Sequence, residues 1–579
     1  MSGITNTHVL DLCITNCDFV EDVLYLSPLG KSDHCVLRCV CNLCVADVCP
    51  GKVKLNYSKG DYEELRKFVS DKIQMNNVTN NCHNSVETEW GFLKSCLVDI
   101  PRNVIPVVSD SSWRRKKIWQ HPLPKETVTL INRKHRLWTR YMETRDTKVF
   151  TEFKRVRNTV TRMLRLKVRQ SQLDIAKSCK DNPKKFWQHV RSKSATSKSS
   201  LGTITTVDCN GLKLEVTSDL EKANLFSDYF AKVFTIEPDH ISATLSARTA
   251  VSSMPKVVIT DSEICSKLAN LNVHKSPGPD QVHPRVLFEL RNVIVPKLRT
   301  LFERSLSEGT VPYDWKNSIV TVIHKKGRKD LVENYRPISL TSVVCKVLES
   351  LIRDHVMSHF VTNNLFSCTQ YGFIKGRSTV LQMLKILDDW TSILDKGGQI
   401  NVIYTDFEKA FDKVPHKRLI SKLRYYGVND ELIVWIKSFL CSRTQKVKVN
   451  NVLSSENDVL SGIPQGSVLG PLLFVIFIND LPESCVNLCD IFMFADDAKM
   501  YKCINNVNDC STLNECCQRV LSWSEQWCMK LNTDKCKVLK VKIHSKEEYA
   551  FDYGLTFDGN KYVKLECVSE MRDLGVTPN

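Results

Sequence analysis

Seven residues, Phe492-Met493-Phe494-Ala495-Asp496-Asp497-Ala498, constrain the fold more than any other feature of the sequence. An apolar strand runs into two adjacent acids, and a second apolar run, Met500 to Ile504 with Lys502 inside it, follows. The pattern predicts a strand–turn–strand hairpin with carboxylates at its tip. Two adjacent, partly buried acids repel and are costly unless a cation sits between them. A third acid, Asp406, ends a predicted strand, Asn401 to Thr405, in which Val402 and Tyr404 share its face. Side by side in one sheet, these strand ends would bring three carboxylates together. Such a cluster suits two Mg²⁺ ions about 3.5–4 Å apart. Taken alone, Asp-Asp is also a common turn dipeptide.

The rest of the chain supplies the setting. At 579 residues, 42% hydrophobic and 25% charged, it is long enough for about four domains and apolar enough to bury cores. The apolar run Leu472 to Ile478 falls far short of the roughly 20 residues a membrane span needs. The opening residues, Met-Ser-Gly-Ile-Thr-Asn-Thr-His, lack the charged and apolar regions of a secretory signal, so the 24 cysteines are expected to stay reduced. Cys41 and Cys44 form a Cys-x-x-Cys pair that could hold zinc. No second pair matches it, and cysteine as a small buried apolar residue is the better account.

Charge is more telling. Residues 111–200 hold 25 Lys and Arg against 6 acids, a surplus of 19 in a chain whose total is +17, so all the positive excess sits in one block. A field of one sign points to a polyanion partner; the plainer alternative is a solvated helix surface. Phe150, Phe153, Val156, Val160, Met163 and Leu164 recur there at threes and fours, predicting an amphipathic helix. Ser192 to Ser200 reads as a linker.

Coarse boundaries follow. Short strands are predicted at Val9 to Thr15, Val20 to Tyr25 and Cys35 to Val40 within residues 1–48. A partly helical linker spans 49–110, the basic helical region 111–200 and a connector 201–255. From 256 to 579, with a core at 303–576, helix and strand patterns mix. Leu340, Val344, Val347 and Leu351 mark one helix; Val380, Leu384, Leu387 and Leu394 mark another, closed by Gly397-Gly398.

Three loops raise the odds for the acid cluster. Ser461-Gly462-Ile463-Pro464-Gln465-Gly466-Ser467 precedes the apolar run, and its glycines let backbone approach a flat ligand. Lys275-Ser276-Pro277-Gly278-Pro279-Asp280 is a rigid turn. His324-Lys325-Lys326-Gly327 is followed by Asn334-Tyr335-Arg336-Pro337-Ile338, and Lys325 and Arg336 so placed can hold a triphosphate.

In order, His-Lys-Lys-Gly (324–327), Asn-Tyr-Arg-Pro-Ile-Ser-Leu (334–340), Gln-Tyr-Gly-Phe (370–373), Tyr-Thr-Asp-Phe-Glu-Lys-Ala-Phe-Asp (404–412), Gly-Ile-Pro-Gln-Gly-Ser-Val-Leu-Gly-Pro (462–471), Phe-Ala-Asp-Asp (494–497) and Leu-Asn-Thr-Asp-Lys-Cys-Lys (531–537) resemble the reverse transcriptase of non-LTR, LINE-like, jockey-type retrotransposons. The resemblance covers about Lys275 to Val576, roughly half the chain. It implies an α/β (α+β) right-hand polymerase of fingers and palm with a truncated thumb. It also implies an RNA-directed DNA polymerase that copies template RNA from deoxynucleoside triphosphates, with target DNA as primer. Its implied cofactor is two Mg²⁺ ions, with Mn²⁺ as a substitute, held by Asp406, Asp496 and Asp497. Lys535 would protonate pyrophosphate. Lys325, Arg336, Phe407, Phe411, Gln465 and Gly466 would line the nucleotide, Phe411 as the ring that collides with a 2′-hydroxyl. Asp412 is expected to be structural. Gln281 stands where the family usually has glycine. Rival readings are a viral RNA-dependent RNA polymerase, disfavoured by Phe411 and Ala495, and an inactive nucleic-acid-binding remnant, disfavoured by the three retained aspartates.

A second resemblance concerns residues 1–48. Asp11-Leu12-Cys13-Ile14-Thr15-Asn16 followed by Gly30-Lys31-Ser32-Asp33-His34 is similar to the last strands of an apurinic-type endonuclease, of endonuclease/exonuclease/phosphatase α/β-sandwich kind. It implies that Asp33 orients His34 against a phosphate. The family's earlier acids have no counterpart, so no nuclease activity is expected, and the chain reads as a fragment of a longer polyprotein. No membrane partner is expected, and a location in nucleus and cytoplasm is.

Overall fold

The computed structural model describes residues 20–26, 36–41, 55–79, 85–107, 123–179, 186–187, 189–190, 201–207, 213–238, 252–542, 549–557 and 561–576. They divide into two units, one of residues 1–60 and 105–198, the other of residues 61–104 and 199–579. The architecture is mixed α and β. Among the described residues no helix is long and apolar enough to cross a membrane.

In the first unit, strands Val20–Leu26 and Val36–Cys41 pair antiparallel. Asp33, His34, Cys44 and the strand expected at Val9 to Thr15 lie outside the described residues. The basic block forms two helices, Lys125–Thr144 and Thr147–Lys177. Arg145 takes a left-handed backbone (φ 54°) to end the first, and the Asp146 side chain accepts the Lys148 N–H to start the second. So short a connection makes an antiparallel helix hairpin. Trp138, Tyr141, Phe150 and Phe153 interlock across it, with Trp138 and Phe153 centroids 5.1 Å apart.

The second unit holds two five-stranded sheets. In one the order is Asn457–Val459, Arg443–Val449, Asn317–His324, Tyr335–Leu340, with Val452–Leu453 also on Arg443–Val449. The connector expected at 201–255 packs on this sheet, because Ala223, Phe226 and Phe230 of helix Asp219–Ala231 meet Val320, Tyr335 and Val447. The other sheet runs Asp490–Phe494, Asp497–Ile504, Gln399–Thr405, Lys537–Val541, Glu566–Val568. Its central strand, Gln399–Thr405, is buried at every residue, since Ile386 and Trp390 cover one face and strands flank both edges. Helix Gly470–Ile478 is buried along eight of its nine residues, which explains an apolar run with no polar face.

The expected linker at 49–110 is a correction in part. Tyr62–Thr79 and Val86–Val104 are helices that pack on the long helix Pro284–Glu308. Leu65, Val69, Trp90, Leu93 and Leu97 are buried there, and Trp90 meets Trp315 edge-on at 5.3 Å. Those apolar stripes make the segment part of a core.

Candidate active site

The central strand ends at Thr405, whose hydroxyl donates to the Ala498 carbonyl at 3.0 Å. Ala498 pairs with Thr405, so one residue further along the two antiparallel strands stand Asp497 and Asp406. The hairpin that carries Asp497 closes in two residues, Ala495 and Asp496, between the paired Phe494 and Asp497. Ala495 has a positive φ of 57°, as the first central residue of a tight hairpin requires, and glycine is the usual choice there. Gln370 holds that backbone in place. Its buried Oε1 accepts both the Ala495 N–H (3.0 Å) and the Gly372 N–H (2.7 Å). A side chain at Gly372 would put its Cβ 2.4 Å from the Ala495 nitrogen, so only glycine allows the approach.

Beyond Asp406 the chain zips against residues 530–532: Glu408 N–H donates to Lys530, and Asn532 N–H to Asp406. The turn after Asn532 then returns Lys535 to the acid, Nζ to Asp406 Oδ2 at 2.5 Å. Lys325 and Arg336 come from the other sheet, where Ile323 pairs with Arg336 and the Lys325 N–H donates to Asn334.

Electrostatics tie these groups together. Burial pushes Asp496 up from the usual carboxylate range, Asp406 adds to the rise, and Arg336 and Lys325 oppose it. Asp497 is pushed up to about 6, first by lost hydration at the tip, then by Asp496 and Asp406. Burial lowers Lys325, and Arg336 and Lys535 lower it further. Three acids and three cations therefore share one neighbourhood. The acids are hard oxygen donors that repel one another, and a lysine already serves as cation to one of them. That donor set fits divalent metal ions.

The glycine loop is a wedge. Gly462 (φ 84°) lies so close to Asp412 that a Cβ would sit 2.5 Å from its carbonyl oxygen, and Gly466 so close to Ser339 that a Cβ would sit 2.2 Å from that oxygen. Gln465 Nε2 donates to Asp412 Oδ1 at 2.8 Å, and its carbonyl accepts the Ser339 N–H. Asp412 therefore serves the loop, as expected of a structural acid. Phe411 stacks on Phe474 with centroids 4.4 Å apart and meets Phe373 edge-on at 6.3 Å. It stays half-buried, so part of the ring is open to a ligand.

Phe407 needs correction as a nucleotide contact. Its side chain is buried, 2% exposed, and packs edge-on against Trp523 at 6.1 Å, because the zipper to Leu531 turns it into the core. Two groups carried no role in the sequence. Gln370 is one. Glu349 is the other: fully buried, it accepts the Ser467 hydroxyl and the Val468 (2.7 Å) and Leu469 (3.1 Å) N–H groups, bracing the loop at the start of the apolar helix. A glutamate inside the apolar stripe of helix Val343–Thr362 was the available signal.

Comparison with known proteins agrees with this geometry. Residues 323–567 match the family described as reverse transcriptase (RNA-dependent DNA polymerase). The chain is 31% identical over 359 residues to a probable RNA-directed DNA polymerase from transposon BS of Drosophila melanogaster, covering 58% of this chain and 39% of that one. To a probable RNA-directed DNA polymerase from transposon X-element of the same organism it is 27% identical over 442 residues, 72% of this chain and 46% of that one. To the RNA-directed DNA polymerase from mobile element jockey, also of D. melanogaster, it is 30% identical over 292 residues, 49% and 32%. The chain spans less than half the length of each of these relatives.

Proposed function

We propose that this chain, whose residues 323–567 match the reverse transcriptase family and which is similar to the polymerases of the BS and jockey elements, is an RNA-directed DNA polymerase of the non-LTR, jockey type that copies retrotransposon RNA into DNA from a primer at nicked target DNA. The carrying observation is the convergence of Asp406, Asp496 and Asp497 with Lys325, Arg336 and Lys535. In this reading the sheet bearing the acids is the palm, and the sheet bearing Lys325 and Arg336 belongs to the fingers.

The primer 3′-oxygen attacks the α-phosphorus of a deoxynucleoside triphosphate, the bond from the α-phosphorus to the bridging oxygen breaks, and pyrophosphate leaves. Asp406, Asp496 and Asp497 would hold two Mg²⁺ ions, or Mn²⁺, which supply activation of the attacking oxygen and charge stabilisation of the leaving one. Lys325 and Arg336 bind the triphosphate oxygens by charge-assisted hydrogen bonds. Lys535, held against Asp406, would donate a proton to the departing pyrophosphate. Phe411 walls the sugar, and Gln465 and Gly466 back the base pair. The basic helix hairpin grips RNA or DNA phosphates. A reaction primed at chromosomal DNA would need the protein in the nucleus as well as in the cytoplasm, and this reading assigns it to both. Asp33 and His34 are read as the pair that faces a phosphate in apurinic-type endonucleases.

Primer extension on a homopolymer RNA template with Mg²⁺ tests this. Asp406→Asn, Asp496→Asn and Asp497→Asn should each lose at least about 10²-fold in rate, the scale of comparable electrostatic deletions. Near-normal extension by folded Asp406→Asn or Asp496→Asn would refute the assignment and favour the inactive, nucleic-acid-binding reading.

A further inference from the structure

Apart from the carboxylates, the described residues hold one other gathering of metal-ligating side chains, and it is made of sulfur. Cys485 ends the short helical turn Leu481–Cys485, Cys489 immediately precedes strand Asp490–Phe494, and Cys516 lies midway along helix Val507–Gln526. Their three Sγ atoms all lie within 4.8 Å of one another. Four thiolates around zinc, with Zn–S near 2.3 Å, stand about 3.8 Å apart, so this trio needs only a small inward shift to hold an ion. The spacing of Cys485 and Cys489 falls in the range of paired zinc ligands, and the third sulfur comes from a separate helix, as in closed structural sites. We propose that Cys485, Cys489 and Cys516 form a zinc site on three thiolates, its fourth position taken by a solvent or external ligand.

Three further observations support it. Cys485 and Cys516 are buried and Cys489 is half-buried, so the site is shielded from bulk water yet reachable from one side. Three thiolates and a divalent ion carry one net negative charge, and Arg519, one turn beyond Cys516 and paired with Glu515 on its own helix, reaches the Ser484 carbonyl at 3.4 Å, next to Cys485. Among the described residues no His, Asp or Glu joins the trio, and an all-sulfur set selects a soft or borderline ion over Mg²⁺. The ion would staple helix Val507–Gln526 to the start of the strand that delivers Asp496 and Asp497.

The test uses the full chain, purified under reducing conditions and loaded with Zn²⁺ or Co²⁺. Other cysteines, Cys41 and Cys44 among them, could also take metal, so the readout is the difference between proteins. Cys489→Ser should lower the bound metal by one equivalent and remove the thiolate-to-cobalt charge-transfer band of this site. Cys517→Ser, on a buried thiol outside the trio, should do neither. On the unsubstituted chain, bound zinc should protect Cys485, Cys489 and Cys516 from alkylation mapped by mass spectrometry, and a chelator should end that protection. Unchanged stoichiometry in Cys489→Ser, alkylation indifferent to zinc, or a disulfide within the trio under reducing conditions would each overturn the proposal.

Discussion

Gln281 holds a left-handed backbone, φ 63°, in the turn after Pro-Gly-Pro-Asp, at the place where glycine was expected. The turn survives the exchange, and the strain stays in the residue. Its side-chain contacts to the Gly278 and Pro279 carbonyls are long, 3.4 and 3.3 Å, and give little back. Left-handed backbone costs a residue with a Cβ about 1–2 kcal/mol, and glycine's extra freedom when unfolded recovers roughly 0.4–1 kcal/mol of that. Gln281→Gly should therefore stabilise the chain slightly, by about 0.5 kcal/mol in denaturant unfolding; a loss would mean the long hydrogen bonds matter more than the backbone. Phe411 is a different case, a ring held by Phe474 beneath it and Phe373 beside it. Phe411→Ala should raise ribonucleotide over deoxynucleotide incorporation by about 10-fold, a relieved clash of roughly 1–2 kcal/mol. An unchanged ratio with deoxynucleotide activity retained would make the ring a packing residue and reopen the RNA polymerase alternative.

At the scale of elements, what the sequence disclosed was local. The acid hairpin, the strand ending at Asp406, the glycine stop at Gly397 and the amphipathic basic helices each depend on neighbours a few residues away, and each was readable. The braces were not. Gln370 reaches Ala495 across 125 positions and Glu349 reaches Ser467 across 118, so no periodicity reports them. Phe407 misled for a related reason: it follows Asp406 in sequence, but strand geometry sends successive side chains to opposite faces, and its face is the core. The basic helix hairpin lends itself to a test of its own. Arg157, Arg162, Arg165 and Arg169 border one groove along helix Thr147–Lys177, and the last three, at spacings of three and four, share a face. With about six phosphates contacted, RNA affinity should fall with salt at a log–log slope of −4 to −5. Replacing Arg162, Arg165 and Arg169 together by Ala should flatten it by about 2. A slope indifferent to the triple substitution would make this face a solvated surface.

Over the whole molecule, charge runs two ways: an excess of +17 concentrated in one block, and carboxylates elsewhere that folding forces into poor company. Asp280, Asp412 and Asp497 are each pushed up to about 6, all three by burial first. A carboxyl raised in the folded state contributes stability that is complete below its ordinary value near 4 and is lost as pH climbs through about 6. His416, lowered by burial, works in the opposite sense and costs stability as pH falls below its ordinary value. These acids nonetheless differ in kind. Asp280 is enclosed at 1% exposure and Asp412 is tied to Gln465, whereas Asp497 is exposed at the hairpin tip, where a cation can reach it. A divalent ion on Asp497 competes with the proton, so magnesium should stabilise the fold fully only once that carboxyl has ionised. With Mg²⁺ at about 100 times its dissociation constant the gain is near 2.7 kcal/mol, a melting shift of about 2–5 °C for a unit of this size. That shift should be full at about pH 7.5, fall to about half by about pH 5, where proton competition weakens the apparent affinity about 10-fold, and shrink at the higher pH in Asp497→Asn. Asp280→Asn should keep the shift and flatten only the metal-free profile between about pH 4 and 6. An equal magnesium shift at both pH values would place the ion on ligands other than these carboxylates.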